Sequence, residues 1–269
     1  MTGKPWRYIG VDWDSGAWVA VGYSDTGRAE PAMFDTIEDL WRKHGTPAER
    51  IVVDVPIGLC ESHDAADGCV ETDGECSRRC DDLARTVLGP RSSSVFTAPC
   101  RDAATAAADG AEYSDVNETN KDRTGKGLMR QAANIAPGIV EVEELLLDHG
   151  ASTTLVEGHP EVCFRALADD VLQYNKKTAP GMDERLSALE HNPEYEQGTW
   201  RRLAETLREN GHETGADDLL DALSLALTAR APRKEFHHLP PNPPTDAADL
   251  PMQMVYRRPE PFDIDRSRE

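Results

Sequence analysis

At 269 residues the chain is long enough to bury a sizeable core, and it contains no apolar run of about 18 residues, which excludes a membrane-spanning helix and any expectation of a membrane partner. Asp and Glu number 49 against 29 Lys and Arg, for a formal net charge of -20, and only seven of the basic residues are lysines; such a composition suits a halophilic protein kept hydrated in concentrated salt, and it excludes an overall basic footprint for nonspecific nucleic-acid binding. The segment Met1 to Gly10 has no signal-peptide apolar region, so a cytoplasmic location is expected, with the six cysteines reduced, metal-bound or simply buried.

In chain order, Arg7 to Asp12 and Trp18 to Tyr23 read as strands joined by the polar turn Trp13-Asp14-Ser15-Gly16, and Pro31 to Phe34 as a short third strand in an antiparallel meander. Ile37, Leu40 and Trp41 have helical spacing over Ile37 to His44, and Ile51 to Val55 is a continuously apolar fourth strand, the mark of burial on both faces. Residues 60 to 77 are polar, Gly- and acid-rich, hold three cysteines, and read as a surface insertion. A helix over Arg78 to Leu88 stops at Gly89-Pro90, and a helical insertion of several short helices fills 102 to 149. Thr153 to Glu157 is a fifth strand. Helices follow over Glu161 to Leu167, Met182 to Leu189, Trp200 to Asn210 and Ala216 to Arg230, the last ended by Pro232. One domain over 1 to 231 is expected, then a Pro-rich tail over 232 to 269 whose apolar patch, Met252 to Tyr256, adds an edge strand or docks on the body. This order fits an α/β layer sandwich with a mixed sheet.

Two aspartates sit where strand sequence ought to be apolar: Asp12 closes Tyr8-Ile9-Gly10-Val11, and Asp54 lies inside Ile51-Val52-Val53-Asp54-Val55. Burying an unpaired carboxylate is costly, so both are expected at one polar site. The helix GADDLLDALSLALTA is apolar nearly all round yet carries Asp218 and Asp221 three residues apart, on one face. Carboxylates from three distant apolar segments point to a site for hard divalent cations, Mg²⁺ or Mn²⁺. Blander accounts exist for each: Asp12 as a turn former, Asp54 as a hydrogen-bonded structural acid, and Asp217 and Asp218 as acids that favour a helix N-terminal turn. Asp221 lies deeper in the helix, where the dipole account weakens.

The segments GVDWDSGAW (10 to 18), VDVPIGL (53 to 59), DDLARTVLGPRSSSVF (81 to 96), EGHPEVCF (157 to 164), KKTAPGMDERL (176 to 186) and DDLLDALSLALTA (217 to 229) together resemble the domain-of-unknown-function family 429, in family order over about 7 to 231. The resemblance implies a ribonuclease H-like fold, a mixed sheet of three antiparallel and two parallel strands flanked by helices, and nuclease activity on DNA or RNA. More loosely, Asp12, Asp54 and the Asp218-x-x-Asp221-Ala-Leu run match the places of the acids in Holliday-junction resolvases of the same superfold. Asp12, Asp54, Asp218 and Asp221 are then the expected catalytic metal ligands, with Glu157 a further ligand, and two ions about 4 Å apart would serve an in-line phosphoryl displacement. The chain departs from the family pattern at Trp13, where a small residue is usual after the first-strand acid.

Residues 78 to 130 hold nine Lys and Arg against eight Asp and Glu, so this near-neutral middle is where a phosphate-bearing substrate is expected. There, Arg91 and Ser93 in the run Arg91-Ser92-Ser93-Ser94 offer a phosphate grip, or a capped loop. His159 reads as a proton shuttle or as a turn residue before Pro160, while Lys176, Lys177 and Arg185 are expected substrate contacts in a lysine-poor chain. Cys60, Cys69, Cys76 and Cys80 fall close together; reduced thiols are the leading expectation, ahead of structural zinc at Cys76-x-x-x-Cys80 and of a disulfide pair. Two rivals to a nuclease remain: a noncatalytic binding or scaffold protein, and a phosphotransferase of the actin and sugar-kinase type, whose second phosphate loop and adenosine motif do not stand out in this sequence.

Overall fold

The structure is a computed structural model describing residues 4–14, 16–61, 68–168 and 170–264. Strands β1 (Tyr8–Asp14), β2 (Ala17–Tyr23) and β3 (Ala29–Phe34) lead into α1 (Ile37–Leu40), which runs on as a π-helical turn over Trp41–Gly45. After β4 (Arg50–Val53) come β5 (Cys69–Thr72), β6 (Glu75–Arg78), α2 (Arg79–Leu88) and a 3₁₀ turn over Gly89–Ser94. Helices α3 (Arg101–Ala108), α4 (Tyr113–Thr124), α5 (Arg130–Asn134) and α6 (Ala136–His149) precede β7 (Leu155–Glu157). The remainder is α7 (Pro160–Ala168), α8 (Ala179–Glu190), α9 (Thr199–Glu209), α10 (Ala216–Ala229), β8 (Phe236–Leu239) and β9 (Met254–Arg257).

The main sheet has the order β3-β2-β1-β4-β7, with β1, β2 and β3 antiparallel and β4 and β7 parallel to β1. Alternation along β1 divides the core in two. Ile9 and Val11 face α1 and α6 with Ile51, Val53 and Leu155, while Val19 and Val21 of β2 face α8, α9 and α10 with Leu203, Leu223 and Leu227. On this second face of β4, Val52 packs with Leu225 of α10 and Val255 of β9. Ile51, Val52 and Val53 are fully buried, as expected of a strand sandwiched between helices.

The structure corrects the placement of Asp54 and the state of two cysteines, and gives form to the expected insertion and the C-terminal apolar patch. Asp54 follows β4 rather than lying inside it, although its N–H still donates to the Val11 carbonyl at 2.9 Å and continues the parallel ladder. Of the expected surface insertion, 62 to 67 lies outside the described residues, but 69 to 78 forms the β5–β6 hairpin, because Asp73 and Gly74 adopt positive φ and turn the chain. Cys69, the first residue of β5, and Cys60 are joined as a disulfide with Cα atoms 6.0 Å apart, while Cys76 and Cys80 stay free and buried. The leading expectation of reduced thiols fails at this pair. Finally, Met252 to Tyr256 does dock, but as one arm of a β8–β9 hairpin whose Val255 bridges Gly158 after β7. Among the described residues no helix is long and apolar enough to cross a membrane.

Candidate functional site at the ends of the parallel strands

The chain runs from β1 to β2 and β3 on one side and to β4 and β7 on the other, so its connections part at β1, and a crevice opens beyond the carboxyl ends of β1, β4 and β7. A cleft of ≈ 550 Å³ lies there, lined by Asp12, Asp54, Asp218 and Asp221. One small residue decides that meeting. A Cβ on Gly10 would stand 2.1 Å from both the Ala222 carbonyl oxygen and the Ala226 nitrogen, so only glycine lets the α10 backbone lie directly on β1. Two residues on, Asp12 emerges on the same face of β1, next to Asp221 on α10. Asp12 is 5% exposed and Asp221 2%, while Asp54 and Asp218 are half-buried.

Electrostatically the floor is overfilled with acid. Burial, then the neighbouring Asp54 and Asp221, raises the Asp12 carboxyl well above the usual range. Burial and Asp221 push Asp54 up to about 8 despite a hydrogen bond with Asp12 and the nearby Lys176. Asp221 rises to about 6, through burial offset by Lys176. Asp218 is also raised, by burial and then Asp217. At this floor stands the ammonium of Lys176, whose Nζ is 2.5 Å from Asp221 Oδ2 and 3.5 Å from Asp217 Oδ2. Burial alone would lower the Lys176 pKa, but Asp221 and Asp12 outweigh it and hold it above its ordinary value. Asp221 Oδ1 is buried with no hydrogen-bond partner.

The other expected residues divide. Arg91, Ser93, His159 and Lys177 line the cleft with Lys176, and Ser93 and Lys177 are exposed at its rim. His159 has both ring nitrogens in use: Nδ1 accepts from the Glu161 N–H at 3.2 Å and Nε2 lies 3.3 Å from the Ser94 carbonyl, an arrangement that ties the 3₁₀ turn to the start of α7 and fits the turn-residue expectation better than a shuttle. Glu157 also reaches the cleft, but its carboxylate is clamped by Arg78 at 2.5 and 3.0 Å and by the Ile57 N–H at 2.7 Å. Arg185 is not in the cleft. It is fully buried, pairs with Glu161, and donates to the Gly181 carbonyl at 2.8 Å and the Tyr174 carbonyl at 3.3 Å, which braces the turn that carries Lys176. Trp13 turns its ring toward α6, where a Cβ on Gly138 would meet it at 2.9 Å, and packs edge-on to Trp18 with ring centroids 4.7 Å apart.

Among the described residues, two groups place three ligand atoms within 4.8 Å of one another: Cys60, Cys69 and Cys76, and Cys80, Asp81 and Glu157. The first contains the disulfide, and the second is already neutralised by Arg78, which lies 2.8 Å from Asp81. Asp12, Asp54 and Asp221 do not form such a group; each interacts with Lys176. Their hard oxygen donors, their mutual repulsion and the orphaned Asp221 Oδ1 nonetheless fit a divalent cation. Sequence reading missed Arg78 and Asp81, although a base followed three places later by an acid at a helix start was a legible pairing signal. Asn175, which shapes the turn below Lys176, carried no comparable signal.

Fold and site together define an α/β protein with a mixed five-stranded sheet and an acid-floored cleft at the ends of its parallel strands. The chain belongs to the family described as "Protein of unknown function (DUF429)", whose model matches residues 10–245. No curated protein and no solved structure matches it.

Proposed function

We propose that the chain is a divalent-metal-dependent phosphodiesterase of ribonuclease H-like fold that hydrolyses phosphodiester bonds in DNA or RNA. The observation that carries this reading is the convergence of Asp12, Asp54 and Asp221 on one cleft floor with Lys176 as counter-charge and one carboxylate oxygen of Asp221 unpartnered. The order β3-β2-β1-β4-β7 supports the ribonuclease H-like part. Mg²⁺ or Mn²⁺ would be held by Asp12, Asp54 and Asp221, with Asp218 beside them, and when bound it supplies a polarised water and charge stabilisation for the displaced oxygen. Arg91, Ser93 and Lys177 at the rim bind and orient the substrate phosphate. Glu157 keeps Arg78 and the Ile57 amide in place at the back of the cleft.

The test is cleavage of single-stranded, duplex and branched DNA and RNA with Mg²⁺ or Mn²⁺ in molar KCl. Cleavage that disappears in an Asp12→Asn, Asp54→Asn double variant is the expected result; cleavage that survives it rejects the assignment. The noncatalytic reading draws on one observation, that Lys176 already compensates Asp221. Under that reading Mn²⁺ leaves the wild-type melting temperature unchanged relative to the double variant.

A further inference from the structure

We propose that the Lys176 ammonium is a built-in cation of this site, standing in for one of two divalent ions, so that the chain takes up one Mn²⁺ or Mg²⁺ rather than two. The inference rests on the metal-site reading above and specifies how that site is filled.

The acids at the cleft floor fall into two sets. On one side, Lys176 Nζ engages Asp221 Oδ2 at 2.5 Å and Asp217 Oδ2 at 3.5 Å. On the other, Asp12 and Asp54 neighbour each other at the cleft floor, and neither forms an ion pair with Lys176 among the described residues. Asp221 belongs to both sets. Its Oδ2 is taken by the ammonium, and its Oδ1, in a side chain 2% exposed, has no partner. The donors left for an added ion are therefore Asp12, Asp54 and Asp221 Oδ1, which would have to draw closer than the structure holds them to ligate one hard cation together. A second dication on the Asp217 side would have to displace the lysine or sit beside a like charge.

Lys176 is also not a free surface side chain that happens to reach inward. Its turn is braced from within: the Thr178 hydroxyl donates to the Asn175 carbonyl at 2.8 Å and the Lys177 N–H to Asn175 Oδ1 at 2.9 Å. The buried Arg185 holds the Tyr174 carbonyl and the Gly181 carbonyl together. Gly181 itself lies so close that a Cβ there would fall 2.0 Å from the Asn175 oxygen. Such bracing fixes the backbone from which the Lys176 side chain reaches Asp221.

Mn²⁺ bound per chain, counted from the loss of the free-ion EPR signal in molar KCl, tests the proposal. The expected result is one ion for the wild type and for Lys176→Arg, which keeps the charge, and two for Lys176→Met and Lys176→Gln. Two ions on the wild type overturn the inference, and this arm needs no variant to fold. A folded Lys176→Met or Lys176→Gln protein, verified by circular dichroism, that still binds a single ion overturns it as well. Binding of no Mn²⁺ by wild type or variants instead removes the metal-site reading, and the inference goes with it; the other failures leave that reading standing.

Discussion

Gly10 has no side chain to give, and the α10 backbone occupies the space where one would be. Gly10→Ala forces helix and strand apart through backbone atoms that cannot rotate away, so its expected cost is about 3 kcal/mol or more, at the upper end for overpacking. An unfolding free energy from denaturant titration unchanged to within about 0.5 kcal/mol would contradict the close approach. At Arg185 the reasoning is electrostatic. Arg185→Met leaves the 5%-exposed Glu161, among the described residues, with Arg91 at 3.8 Å as its remaining ion-pair partner, and removing one partner of a buried pair is expected to destabilise the fold by about 3–5 kcal/mol. The acids at the floor give a pH dependence of definite sign. Burial raises Asp54 to about 8 from an unfolded value of about 4, so the folded chain retains a proton that the unfolded chain has released between those values. Its contribution to stability is complete below about pH 4 and is lost as the pH climbs through about 8. Without divalent ions, the melting temperature should fall more steeply from pH 5 to 9 in the wild type than in Asp54→Asn; equal slopes would refute this.

The β8–β9 hairpin shows how an element can be hidden in a Pro-rich segment. Leu239, Met252, Val255 and Tyr256 are almost fully buried, and the intervening Asp246 takes the Arg101 guanidinium at 2.5 Å and the amides of Leu59, Ala248 and Leu250. Removal of this hairpin uncovers the flank of β7, the Cys76 and Cys80 core and a buried arginine partner at once. A chain ending at Ala231 is therefore expected to melt lower and to bind an apolar dye in its native state; a truncated protein as stable as the full chain would show the hairpin to be dispensable. The β5–β6 hairpin is a similar case on a smaller scale. Its buried apolar anchor, Cys76, sits in a stretch too polar for period-2 alternation to register.

For the molecule as a whole, charge is the controlling quantity. A net charge of -20 favours expansion at low ionic strength, and salt shortens the Debye length from about 10 Å at 0.1 M to about 3 Å at 1 M, screening repulsion between surface acids. The melting temperature should rise steadily between 0.1 and 2 M KCl. If it stays flat over that range, the acidic surface serves something other than stability in salt.

The sequence by itself determined those elements that write their own period: the all-apolar β4, the meander before it, and the acid-bearing α10 are local patterns that packing then obeyed. It also marked Asp12, Asp54 and Asp221, since a carboxylate in an apolar run is conspicuous wherever the chain goes. Only the tertiary structure decided who faces whom. That Arg185 serves Glu161, that Arg78 holds Glu157, and that Lys176 rather than a rim residue stands over Asp221 are meetings across 24, 79 and 45 residues. No local spacing encodes them, because an ion pair is chosen by distance and burial after folding, when charges that look interchangeable along the chain are sorted by which of them can escape to water.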